Sequence, residues 1–365
     1  MRVVAKIGTS SLTDERGVVD RDAIVRICDQ TAAVMEMGHE VLIVSSGAVS
    51  AGVGAVGLAR RPTDMPTLQA VAAAGQPRLM EIYNAELSRH NRVAAQALFV
   101  PHDFINRRQY LHARRTLDRL LELGCVPIIN ENDAIASDEI RWGDNDRIAA
   151  LVAHLVHADL LLLLTDTPGL FTSDPRVDPT AQLVERVGAD DPMLGIDAGR
   201  SGTTRGSGGM ASKLAAARIA SWSGVRAVIA EAGREGVLVD AVEGSSGVGT
   251  TFEPHARKLS ARKLWIAFAS RVAGTVVVDD GARRALVERH TSLLPAGVTG
   301  VRGDFYVGDT VEVATAHGDI VARGMVQMDA STARRVLGRR TIDLPSDVPH
   351  EVVHRDDLVV LTTLR

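Results

Sequence analysis

Four lysines stand in this chain against 37 arginines, and two of them fall where phosphate chemistry could use a compact ammonium. In so arginine-rich a sequence a retained lysine asks for a reason, because an ammonium and a planar guanidinium are not interchangeable. Lys6 closes a strand-like run and is followed by Gly8-Thr9-Ser10-Ser11, small residues that let backbone N–H groups approach phosphate oxygens. Lys213 follows Ser201 to Ser212, rich in glycine and hydroxyls, and leads into the helical pattern Leu214 to Ala220. A lysine in the first turns of a helix behind such a loop is anion-site chemistry. The segment is not a Walker A, since no glycine precedes Lys213 and Leu214 takes the Ser/Thr place; a flexible linker is the plainer alternative.

Carboxylates and amides gather in two clusters, Asn130-Glu131-Asn132-Asp133 and Gly143-Asp144-Asn145-Asp146, on either side of Ala134 to Arg141. Each alone reads as an Asx turn or an N-cap. Together, after an apolar run from Cys125 to Ile129 and before a helical pattern from Ile148 to Val156, they suit the ligand edge of an α/β sheet.

The elements that would hold these groups follow an alternating pattern. Arg2 to Ile7, Val41 to Val44, Val93 to Val100, Cys125 to Ile129, the five leucines Leu160 to Leu164, and Val225 to Ala230 read as strands. Helical periodicity fills the intervals: after Asp20 up to Gly38, over Thr67 to Leu87, and from His112 to Gly124. Strand, helix, strand at this spacing predicts right-handed crossovers and a mostly parallel sheet. Gly52-Val53-Gly54-Ala55-Val56-Gly57 matches GxGxxG but lies too far beyond its strand, with no acidic residue ending a second strand, so it reads as a small-residue helix and turn. Thr250 to Arg262 reads as a connector. Beyond it Trp265 to Phe268, Gly274 to Val278, Asp309 to Val313 and Ile320 to Met325 read as short strands of a small β-rich domain.

Composition sets outer bounds. A length of 365 residues suits two domains, and a net charge of −4 is no footprint for nucleic acid or a membrane surface. Residues 263–365 carry 13 basic against 13 acidic side chains, which counts against an RNA-binding module there. Cys28 and Cys125 lie in apolar runs with no CxxC, the N-terminus shows no signal-peptide pattern, and no apolar run is long enough for a membrane span. His102, His112 and His154 lack metal-ligand spacing. A cytoplasmic protein is expected.

Lys6-Ile7-Gly8-Thr9-Ser10, Ser45-Ser46-Gly47-Ala48, Asn130 to Asp133, Gly143 to Asp146, Thr165-Asp166 and Gly208-Gly209-Met210-Ala211-Ser212-Lys213 together resemble the motifs of the glutamate 5-kinase family, in the family's order. The likeness covers nearly the whole chain, and residues 273 to about 350 resemble a PUA domain. The resemblance implies an α/β/α sandwich with a mostly parallel central sheet (the amino-acid-kinase fold) over residues 1–258. It also implies a linker at 259–272 and a small β-barrel-like PUA domain with a C-terminal tail at 273–365. It implies ATP-dependent phosphorylation of the 5-carboxylate of L-glutamate, the first step of proline biosynthesis, with ATP and Mg²⁺ as cofactors. Lys6, Gly47, Asp146 and Lys213 would be catalytic. Ser46, Asn130, Asp133, Asp144 and Asn145 would bind the amino acid. Lys6, Gly8, Thr165, Asp166, Ser207, Gly208, Gly209, Met210, Ala211, Ser212 and Lys213 would contact the nucleotide. No residue is assigned to the metal. Feedback inhibition by L-proline and a homo-oligomer, dimer or tetramer, come with the resemblance. Ser45 and Ser207 stand where many members carry threonine, which keeps the hydroxyl. Phosphorylation of another carboxylate (N-acetylglutamate or aspartate), or an RNA-associated role through the C-terminal domain, are the alternatives. An N-acetylated substrate has no α-ammonium to meet the acidic cluster.

Overall fold

The computed structural model describes residues 1–14, 17–135, 145–194, 208–256, 258–270 and 272–361. Asp144 and Ser207, both expected in the site, lie outside them. The chain forms two compact units, one spanning Met1–Leu194 and Thr203–Lys258, the other built on Leu259–Arg365.

The first unit alternates strand and helix. Its elements are β1 (Arg2–Ile7), a single turn α1 (Thr9–Leu12), α2 (Arg21–Glu36), β2 (Glu40–Val44), α3 (Ala48–Ala55), α4 (Met65–Ser88), β3 (Ala94–Phe99), α5 (Arg107–Glu122) and β4 (Val126–Glu131). There follow α6 (Asn145–Leu155), β5 (Leu160–Thr165), β6 (Arg186–Val187), α7 (Gly208–Ser223), β7 (Arg226–Glu231), α8 (Val237–Glu243) and β8 (Gly249–Phe252). The strands form one eight-stranded sheet in the order β3-β4-β2-β1-β5-β7-β8-β6. All pairings are parallel except β7 with β8. The mostly parallel sheet expected from the strand–helix alternation is the one observed.

Local chemistry explains these boundaries. The Asp20 side chain accepts from the N–H of Asp22 to start α2, and Gly38, at φ +84°, follows its end. β5 is buried along its whole length between β1 and β7, as an unbroken leucine run requires. Register then brings the strand ends level: Lys6 pairs with Val44 and with Leu163, and Val44 pairs with Ile129. The residues that follow these positions (Gly8, Ser46, Asn130 and Thr165) therefore emerge along one edge, the carboxyl edge where such sheets bind ligands.

Gly52 to Gly57 occupy the C-terminal part of α3 and its turn, as the sequence pattern suggested. A Cβ on Gly52 would lie 1.9 Å from the carbonyl oxygen of Val71, and one on Gly75 would lie 1.9 Å from that of Ala48. These glycines let α3 and α4 pack backbone to backbone, a steric demand unrelated to dinucleotide binding. Gly75→Ala should therefore cost about 3 kcal/mol of stability, read as a lower urea midpoint at unchanged slope. A midpoint within error of the wild type would refute the close contact.

Two expectations are corrected. Thr250 to Phe252 are not connector but part of β8, where Thr250 is fully buried and its hydroxyl accepts from the N–H of Leu170 at 2.8 Å. The turn-like run Gly244-Ser245-Ser246-Gly247 masks a strand held by its neighbours. Trp265 to Phe268 are helical rather than extended: α9 (Ala261–Leu264) runs on into a π-helical turn at Trp265–Ala269. Leu264, Ile266 and Ala267 are all buried, and a four-residue apolar run does not distinguish buried helix from strand.

The rest of the second unit comprises β9 (Val272–Val278), α10 (Asp280–Arg289), β10 (Val298–Gly303), β11 (Thr310–Thr315), β12 (Ile320–Val326), α11 (Ala330–Arg335) and β13 (Val353–Val360). Its sheet order is β10-β9-β11-β12-β13, so the expected tail supplies an edge strand. Among the described residues no helix is long and apolar enough to cross a membrane.

Candidate active site

Asp146, in the first turn of α6, joins the two retained lysines. Lys6 Nζ lies 2.6 Å from Asp146 Oδ1, and Lys213 Nζ lies 3.5 Å from Asp146 Oδ2. All three side chains are at least nine-tenths buried. Lys213 Nζ also donates to the carbonyl of Gly209 at 3.3 Å. Burial pushes the Asp146 carboxyl upward, but the charges of Lys6 and Lys213, with hydrogen bonds from Lys6 and Ser212, outweigh it and hold the group below the ordinary carboxylate range. One carboxylate thus brings two amines together. The end of β1, the start of α6 and the second turn of α7 supply the three parts.

Beside them lies a pocket lined by Thr9, Ser46, Gly47, Ala48, Val49, Ser50, Arg61, Asn130, Asp133 and Asn145. Its floor is a buried amide network. Asn145 Nδ2 is within hydrogen-bonding reach of Ser46 Oγ (3.1 Å), the Ser45 carbonyl (3.2 Å) and Asn130 Oδ1 (2.9 Å). Asn130 Oδ1 also accepts from the N–H of Glu131 at 2.9 Å. Gly47 takes the left-handed conformation at φ +98°, caps α3, and turns that helix's free N–H groups towards the pocket. Among the described residues the N–H of Gly47 has no hydrogen-bond partner. Asp133 lies at the pocket wall, half-buried, and burial raises its carboxyl to about 6 against the opposing pull of Arg61.

On the other side of Lys6, buried Thr165 donates its hydroxyl to exposed Asp166 at 3.0 Å at the end of β5. Gly208 begins α7, and Gly209, Met210, Ala211 and Ser212 form its first turn and the approach to Lys213. Gly8 sits beside Lys6; a Cβ there would lie 3.5 Å from Lys6 Nζ. The described expected residues therefore divide into a lysine pair, an amide-and-acid pocket, and a small-residue edge.

Three supporting residues escaped the sequence reading. Gln76 accepts from Asn130 Nδ2 at 3.0 Å and donates to Gln96 at 3.2 Å, so it braces the pocket rather than serving as helix packing. Tyr83, fully buried, shares a 2.8 Å hydrogen bond with Ser45, whose hydroxyl in turn donates to the Ser46 carbonyl. The third is Arg61, on the segment between α3 and α4. Amides and a hydroxyl on the buried face of α4 were the available signal for the first two; nothing in the sequence marks Arg61 among so many arginines.

Residues 1–231 match the amino acid kinase family, and residues 274–346 match the PUA domain. The chain is 45% identical to the glutamate 5-kinase of Mycolicibacterium vanbaalenii, over 98% of this chain and 96% of that protein. It is 46% identical to the glutamate 5-kinase of Frankia casuarinae, over 100% and 98%. The chain belongs to the glutamate 5-kinase family. A carbamate kinase from Giardia lamblia, solved with AMP-PNP bound, superposes on 69% of this chain and 98% of its own with a TM-score of 0.51 at 15% identity, a likeness of fold alone. The match to the glutamate 5-kinases spans both units, with the lysine pair and the pocket inside the amino acid kinase region.

Proposed function

We propose that this chain carries out its family's reaction, transfer of the γ-phosphoryl group of ATP to the 5-carboxylate of L-glutamate, with Lys6, Lys213, Gly47 and Asp146 as the catalytic groups. The observation that carries this reading is the convergence of both scarce amines on Asp146 beside the pocket that holds Asp133 and Asn145. The acceptor is a carboxylate, ionised at neutral pH, so the reaction needs no general base. What remains is alignment and charge neutralisation. Lys6 and Lys213 place two positive charges where the equatorial oxygens of the transferring group gather negative charge. The N–H of Gly47 and the first turn of α3 orient the attacking carboxylate. Asp146 positions the amines. Ser46, Asn130 and Asn145 form the polar wall, Asp133 pairs with the substrate's ammonium, and Asp144, outside the described residues, keeps the substrate-binding role that the resemblance implies.

Gly8, Thr165 and Asp166 with Ser207 to Lys213 hold the nucleotide in this reading. Magnesium enters with ATP as part of the substrate. The described residues hold no cluster of three or more His, Cys, Asp or Glu side chains, and Mg²⁺ is commonly held by phosphate oxygens with one or two carboxylates. Residues 1–258 would form the kinase region and 273–365 the PUA domain. Proline offers Asp133 the same ammonium as glutamate, which suits a feedback inhibitor. A homo-oligomer in the cytoplasm completes the proposal.

The test is a coupled assay of ADP release with glutamate, aspartate and N-acetylglutamate. Glutamate should exceed both others by at least about 100-fold in kcat/KM, since the wrong analogue leaves buried polar groups unpaired. Preference for N-acetylglutamate would overturn the assignment of Asp133. A pH dependence follows from the same group. Asp133, raised to about 6 with Arg61 as the facing charge, binds ammonium only when ionised. The KM for glutamate should therefore climb as pH falls through 6, by about tenfold per unit below it, while the KM for ATP stays level. A flat glutamate KM between pH 7 and 5 would contradict this role.

A further inference from the structure

The pocket that Asp133 lines also holds a positive charge that the amide network does not use. Arg61 lines the same cavity, on the exposed segment that links α3 to α4. Among the described residues its guanidinium has no hydrogen-bond or ion-pair partner, and neither has the carboxylate of Asp133. The two are close enough for the charge of Arg61 to act on Asp133, yet they do not close on one another as an ion pair. An acid and a guanidinium that line one polar cavity without pairing suit a ligand carrying both complementary charges on one carbon. The α-carbon of a free amino acid does so, with an ammonium for Asp133 and a carboxylate for the guanidinium fork.

We propose that Arg61 binds the α-carboxylate of the amino-acid substrate and, with Asp133, makes the pocket specific for a free α-amino acid. The inference rests on the reaction proposed above and deepens it. The substrate then spans the cavity. Its α-carbon lies between Arg61 and Asp133, and its side-chain carboxylate reaches the first turn of α3 and the lysine pair. Specificity is thereby divided. The α-carbon clamp rejects α-amides and N-acyl compounds, and the span from the clamp to Gly47 sets the side-chain length.

The experiment pairs Arg61→Gln and Arg61→Lys with two acceptors, L-glutamate and its α-amide, which keeps the ammonium and the side-chain carboxylate but lacks the α-carboxylate. Arg61→Gln should raise the KM for glutamate by about 10- to 100-fold, as loss of a charge-assisted hydrogen bond implies. The KM for ATP should stay unchanged and kcat should remain within about threefold, because the group touches no reacting atom. The wild type should prefer glutamate to the α-amide by a similar factor. Arg61→Gln should abolish that preference, and Arg61→Lys should restore part of it. Isothermal titration with glutamate reads the same loss without turnover, and circular dichroism should confirm that a change at this exposed position leaves the fold intact. An unchanged glutamate KM, or an equal loss for glutamate and α-amide in Arg61→Gln, would overturn the role of Arg61 alone. A wild-type protein with no glutamate-dependent ADP release would overturn the reaction itself.

Discussion

Replacing Lys213 by alanine should lower kcat for glutamate-dependent ADP release by about three orders of magnitude, the scale seen when a preorganised cation is removed from phosphoryl transfer. Lys213 is buried and stands 3.5 Å from Asp146, whose other oxygen is 2.6 Å from Lys6. The carboxylate therefore keeps its closer partner when Lys213 is lost. The fold should survive, which makes the kinetic effect interpretable. The KM for glutamate should move by less than about threefold, because the amine acts on charge that develops in the transition state rather than on the bound acceptor. Lys213→Arg should not rescue the rate, since a planar fork does not reproduce a point charge beside the Gly209 carbonyl. Near-normal turnover by Lys213→Ala in a folded protein would remove the lysine pair from the mechanism.

Asp133→Asn should raise the KM for glutamate by about 100-fold and change the KM for ATP by less than about twofold. The substitution keeps shape and removes charge, so it isolates the pairing with ammonium. It should also erase the rise in glutamate KM below pH 6, because the group that titrates there is gone. Equal effects on both Michaelis constants would mean that Asp133 supports the whole edge of the sheet instead of the amino acid. Arg61→Gln, if Arg61 does clamp the α-carboxylate, should add little further loss to Asp133→Asn when the substrate has already lost its anchor. Neighbouring groups on one ligand couple in this way.

Several parts of the arrangement are legible in the residues themselves. Alternation of apolar runs with helical patterns predicts the parallel sheet, because a strand buried on both faces must be apolar throughout, as Leu160 to Leu164 are. The second cluster marks the start of α6, and the scarcity of lysine singles out Lys6 and Lys213. Gly52 and Gly57 are rejected as a dinucleotide fingerprint by their place in the chain, and the helix contact at Gly52 and Gly75 explains why glycine is there. Where the reading fails, neighbours decide. Thr250 to Phe252 look like a connector until β7 pairs with them, and Trp265 to Phe268 are too few to display a period.

The order and kinds of residues alone determine the sheet, the two carboxylate-and-amide clusters, and a pair of amines suited to phosphate. The folded chain alone decides that both amines share Asp146, that Gln76 and Tyr83 brace the residues of the pocket, and that Arg61 and Asp133 line the same cavity. Periodicity reports which face of an element is buried, through the hydrophobic pattern along it. It carries no information about which polar group arrives opposite from a distant part of the chain, and charge pairing depends on that distance.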